Sequence, residues 1–80
     1  MEDKIKAAAS EIVTKIKELP IGSEFIIGEY FTDYEFEMDE NFELLEKVLA
    51  LCKSNNIQIE NTQDGMYLGM PWVFKYKKNN

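Results

Sequence analysis

Arginine and histidine are both absent from this 80-residue chain, and its nine basic residues are all lysines. Without arginine the chain lacks the planar fork that grips phosphate or guanine at two points. Without histidine it lacks the usual neutral-pH general base and the commonest imidazole metal ligand. Cysteine occurs once, as Cys52, so no disulfide can form within the chain, which fits a reducing compartment. With no histidine to activate it, and with helical spacing that puts it on an apolar stripe, Cys52 reads as a buried, inert thiol rather than a nucleophile. No apolar run approaches the length of a membrane span, and Glu2 and Asp3 stand where a signal peptide would carry positive charge. The expected location is the cytoplasm. Gly22, Gly28, Gly65 and Gly69 match no phosphate-binding spacing and read as turn or bulge residues.

Acidic residues dominate what is present, giving a net charge of -6, and they are unevenly placed. Residues 1–20 balance, residues 21–46 hold nine acids and no lysine, and residues 47–80 are mildly basic. The length suits one domain, 1–80, whose core can fold with little stability to spare.

From Asp3 to Glu18, Ile5, Ala9, Ile12, Ile16 and then Leu19 recur at three- and four-residue steps, which predicts an amphipathic helix. Lys15 and Lys17 suit its negative end, and Pro20 closes it. Leu19 to Ser23 predicts a turn and Phe25-Ile26-Ile27 a short strand that Gly28 breaks. Glu29-Tyr30-Phe31 suits a short helix, whereas Tyr34, Phe36 and Met38 alternate with acids in a strand-like rhythm. Either way, the aromatics between Gly28 and Met38 are expected to turn inward and the carboxylates outward. Asp39 reads as the N-cap of a second long helix through Asn55, with Phe42, Leu45, Val48, Leu49 and Cys52 on one face and Leu44 and Leu51 widening it. Asn55-Asn56 suits a left-handed cap.

A β-hairpin is expected over Asn56 to Lys78. Ile57 and Ile59 alternate with Gln58 and Glu60, and Asn61 to Gly65 reads as the turn, with Asp64-Gly65 a strong turn dipeptide. Trp72, Phe74 and Tyr76 share one face of the second arm, while Val73, Lys75 and Lys77 share the other. Pro71 cannot donate to a ladder, so this strand is an edge, bulged or broken near Gly69-Met70-Pro71.

Leu19-Pro20-Ile21-Gly22-Ser23-Glu24-Phe25 followed by Gly28-Glu29-Tyr30-Phe31 resembles the LPxGxxF segment of small bacterial winged-helix-like proteins. The order of elements resembles that family from about Glu2 to Lys78. The resemblance implies an α+β, winged-helix-like fold: two main helices and a short connecting element on a small antiparallel sheet with a C-terminal hairpin. Asp39 to Asn55 then matches the recognition helix and Asn56 to Lys78 the strands and wing. Members of the family often lay that helix in the DNA major groove. Here those positions hold Asp39, Glu40, Glu43 and Glu46, which would repel a polyanion.

Asp33, Glu35, Glu37 and Asp39 are hard oxygen ligands of the kind calcium prefers. The calcium-loop pattern nevertheless fails, with Met38 at the turn-glycine position and Leu44 at the bidentate-Glu position. They read as a solvated acidic face, so neither metal nor cofactor is expected. Paired carboxylates in so short a chain leave little room for a substrate cleft, so neither catalysis nor a small-molecule substrate is expected. Met66, Tyr67, Leu68, Met70 and Trp72 are the residues least easily absorbed by one small core, and they point to a protein partner or a second copy of the chain. The expected function is a non-enzymatic protein-interaction module, self-associating or binding a basic partner. Two alternatives stand beside it. One is a DNA-associated regulator touching phosphates through Lys75, Lys77 and Lys78. The other is an acidic DNA mimic or inhibitor using Asp39, Glu40, Glu43 and Glu46.

Overall fold

A computed structural model describes residues 2–62 and 75–80. In chain order the elements are α1 (Glu2–Glu18), β1 (Glu24–Ile26), α2 (Gly28–Phe31), α3 (Met38–Ser54), β2 (Ile59–Asn61) and β3 (Lys75–Lys78). Among the described residues the fold is α+β, with two long helices, one short helix and a three-stranded antiparallel sheet in the order β1-β3-β2. Asp64-Gly65, Met66, Tyr67, Leu68, Met70, Pro71, Trp72 and Phe74, named above for the turn, the second arm and the protein contact, lie outside the described residues.

The periodicity of α1 is reflected in its burial. Ile5, Ala9, Ile12 and Ile16 are buried, and Ala8 and Val13 widen the stripe. They pack on Leu44, Leu45, Val48 and Cys52 of α3, with Ile27, Phe31, Ile57 and Tyr76 completing one core. Removing such side chains from water is the main term holding so short a chain together.

Phe42 departs from expectation. It is 40% exposed, whereas Leu44, expected only to widen the stripe, is fully buried. At about 100° per residue Phe42 lies roughly 60° round the helix from Leu45, away from Leu44 and Val48, so it falls beyond the arc that the core covers.

Helix α3 also starts earlier than Asp39. Glu37 is the N-cap: its carboxylate accepts the Glu40 N–H, and Glu40 Oε1 accepts the Glu37 N–H at 3.0 Å. This is a reciprocal capping box built from two glutamates, which leaves Asp39 in the first turn, where its charge suits the helix dipole. At the other end Asn56 takes φ 60°, a left-handed position that asparagine tolerates, and its N–H donates to the Lys53 carbonyl at 3.2 Å.

Strand β1 begins at Glu24, one residue before the predicted start, and Ile27 is buried where α2 begins. Tyr34 and Phe36 belong to no strand. They are half-buried against the core, while Asp33, Glu35 and Glu37 are exposed, so aromatics inward and carboxylates outward is the observed arrangement.

The ladder of β2 with β3 pairs Ile59 with Lys78, Glu60 with Lys77 and Asn61 with Tyr76, and the Thr62 N–H donates to the Lys75 carbonyl at 3.0 Å. Asn61 is therefore a strand residue and not the start of the turn. At the opposite edge Phe25 pairs with Tyr76. Gly22, at φ 94°, turns the chain into β1 and donates its N–H to the Lys78 carbonyl, a backbone position that a side chain would strain.

Candidate functional site

At about 100° per residue, Asp39, Glu43 and Glu46 lie on the side of α3 away from Leu44, Val48 and Cys52, and Met38 and Phe42 lie along the border between that acidic side and the core. All five are exposed, with Met38 at 54% and Phe42 at 40%. An exposed apolar pair, bordered on its outer side by carboxylates, thus lines the margin of the core on this helix. Of the four acids singled out from the sequence, Asp39, Glu43 and Glu46 fall on that outer side. Glu40 is half-buried, turned toward the side where it caps the helix. The sequence reading missed Met38 and Phe42. For Phe42 the signal was available in the helical angle, about 60° from Asp39 against about 160° from Leu44, whereas Met38, about 20° from Leu45, carried none.

The acidic block extends beyond α3. Glu24, Glu29, Asp33, Glu35 and Glu37 are all exposed. Lys15 of α1 reaches Asp33 at 3.5 Å, an exposed pair worth little in water. Among the described residues no group of three His, Cys, Asp or Glu side chains converges as a metal site.

The three lysines proposed for phosphate contacts separate. Lys75 is exposed, Lys77 is half-buried, and Lys78 is 6% exposed, with its ammonium donating to the carbonyls of Lys17 at 2.9 Å and Leu19 at 2.7 Å. Lys78 is therefore a structural cap on the C-terminal end of α1 and not a phosphate ligand. The proposed contact set is corrected accordingly. Its direction follows from pleating: Lys78 lies two residues beyond Tyr76 and shares its inward face.

Cys52 lies at the floor of an open cleft of about 690 Å³ between the end of α3 and β2, beside Leu49, Ile57 and Ile59. Burial pushes its thiol up to about 11, against a smaller pull downward from the Lys78 ammonium. It stays protonated at neutral pH and makes a poor nucleophile. The sign of the pH effect follows. The folded state holds the proton to higher pH than the unfolded chain, so this contribution is complete below about pH 9 and is lost as the pH rises toward 11. Thermal unfolding from pH 8 to pH 11 is expected to show a falling midpoint, with part of the fall removed in Cys52→Ala. Tyr30, Tyr34 and Tyr76, whose hydroxyls burial also pushes upward, are expected to contribute to the remainder.

Among the described residues, no helix is long and apolar enough to cross a membrane. Compared with family models, curated proteins and solved structures, the chain matches none.

Proposed function

We propose that the chain is a winged-helix-like domain that works without catalysis, by binding a basic protein surface through the outward face of α3. The carrying observation is Met38 and Phe42 exposed beside Asp39, Glu43 and Glu46. An apolar centre with a charged rim is the anatomy of a protein interface, and carboxylates at the rim select a cationic partner. The winged-helix reading is supported by the order helix, strand, helix, helix, strand, strand, and by a sheet whose last strand lies between the other two. On that reading α3 is the helix that relatives use to read DNA. Here its face carries like charge to a phosphate backbone, which disfavours the DNA-associated alternative. A second copy of the chain brings the same carboxylates to this face, so a basic protein fits it better than face-to-face self-association. An inhibitor that imitates DNA toward such a protein is one form of the same reading.

The test is a titration of isotope-labelled protein at low salt with an arginine-rich peptide and, separately, with duplex DNA. The peptide is expected to shift the amides of Asp39, Phe42, Glu43 and Glu46, and the DNA to leave them unmoved. Replacing Asp39 by Asn with Glu43 and Glu46 by Gln is expected to weaken the peptide about tenfold or more. Binding of DNA with steep salt dependence would reverse the assignment.

A further inference from the structure

Resting on that reading, we propose that the groove between α1 and residues 33–36 is a pocket for an arginine side chain carried by an extended segment of the basic partner. The groove has a volume of about 550 Å³. Its α1 wall is formed at Lys4, Ala7, Ala8 and Glu11, positions at helical spacing along one side, and the two alanines leave room that larger side chains would fill. The facing wall is Asp33 to Phe36, and Glu40 from the first turn of α3 borders it.

Two features of this groove match a guanidinium better than any other common side-chain group. The rings of Tyr34 and Phe36 lie nearly parallel, with centroids 5.6 Å apart and planes 7° from each other, and both are half-buried with part of their surface open. Such rings offer flat faces on which a planar cation stacks. Around them stand the carboxylates of Glu11, Asp33, Glu35 and Glu40, with Lys4 the one cation of the described lining and Lys15 paired to Asp33 beside it. Their duties differ. Glu11 Oε1 accepts the Tyr34 hydroxyl at 3.1 Å and so holds that ring in place. Asp33 faces Lys15, and Glu40 Oε1 caps α3. Glu35 lies between the two rings in sequence, and its side chain is exposed. An arginine can lie on the rings and direct its edge N–H groups to Glu35 and to the second oxygens of its neighbours. A lysine ammonium, a compact and strongly hydrated charge, fits only half of that description. This makes the groove selective for arginine, whereas the α3 face answers to positive charge in general.

The closing experiment titrates labelled protein with an arginine-rich peptide and with the same peptide carrying lysine in place of arginine. The expected result is that the arginine peptide shifts the amides of Ala7, Ala8, Glu35 and Phe36 as well as those of α3, and binds about threefold or more tighter than its lysine counterpart. Phe36→Leu, which keeps apolar bulk, is expected to abolish that preference, and Glu35→Gln to weaken both peptides. The comparison of two peptides on the unaltered protein stands whether or not the Phe36 variant folds. Shifts confined to Asp39, Phe42, Glu43 and Glu46, with equal affinity for the two peptides, would overturn the pocket and leave the α3 face as the binding site. No shift anywhere would overturn both.

Discussion

Leu44→Ala is expected to lower the free energy of unfolding by about 2–5 kcal/mol, read as a shift in the urea midpoint with an unchanged slope. Leu44 is fully buried in the core where α1 packs on α3, so the truncation removes apolar area and leaves a cavity. A chain of this length holds about 4–12 kcal/mol in all, so one such loss brings it near the edge of folding. Phe42→Ala is the control. Phe42 is the larger side chain on the same helix but is 40% exposed, so its truncation is expected to cost less than half as much. Equal losses at the two positions would mean that Phe42 is buried as deeply as Leu44. The pair also separates stability from binding, because Phe42→Ala is expected to weaken the basic partner while leaving the fold in place.

The contrast between these two residues shows where the sequence is readable. A helical period of 3.6 announced α1 to within one residue and α3 to within two at either end, because both long helices bury one face against each other. It could not say how wide an arc the neighbouring elements would cover, and Phe42 lies at that margin. The start of α3 was displaced for a different reason. Aspartate is the better N-cap in isolation, yet two glutamates three residues apart satisfy each other's backbone, and that pairwise gain decides the boundary. Between Thr32 and Glu37 the strand-like rhythm was real but led to no strand. Alternation specifies which side chains face inward, and an irregular segment packed on a core alternates as well as a paired one. The groove was invisible for the same reason that any groove is, since its two walls lie more than twenty residues apart in the chain. Only the acidic character of the 21–46 block, part of which lines it, was legible beforehand.

Lys78 carries the second large expectation. Lys78→Ala is expected to cost about 2–4 kcal/mol, combining the loss of charge-assisted hydrogen bonds, about 1.5–3 kcal/mol, with two carbonyls left short of a donor. Those carbonyls, Lys17 O and Leu19 O, close the last turn of α1, where helix geometry offers no internal partner and the dipole favours a cation. The backbone of Lys78 works in the same place. Its N–H donates to the Ser23 carbonyl at 2.8 Å and its carbonyl accepts from Gly22, so one residue ties the final strand to the first helix and to the turn that follows it. A side-chain substitution leaves those backbone bonds intact, and this allows the ammonium to be weighed separately. Lys78→Met, which keeps the stem but not the charge, is expected to recover the packing and none of the capping, falling between the wild type and alanine. It also has a signature that a packing change alone would not produce. The Lys78 ammonium lowers the affinity of the Cys52 thiol for its proton, so its removal moves thiol ionisation to still higher pH. Thiolate absorbance followed against pH, with the same protein carrying Cys52→Ala as the blank, is therefore expected to appear at higher pH in Lys78→Met than in the wild type. An unchanged profile, with stability equal to the wild type, would show that the ammonium caps nothing.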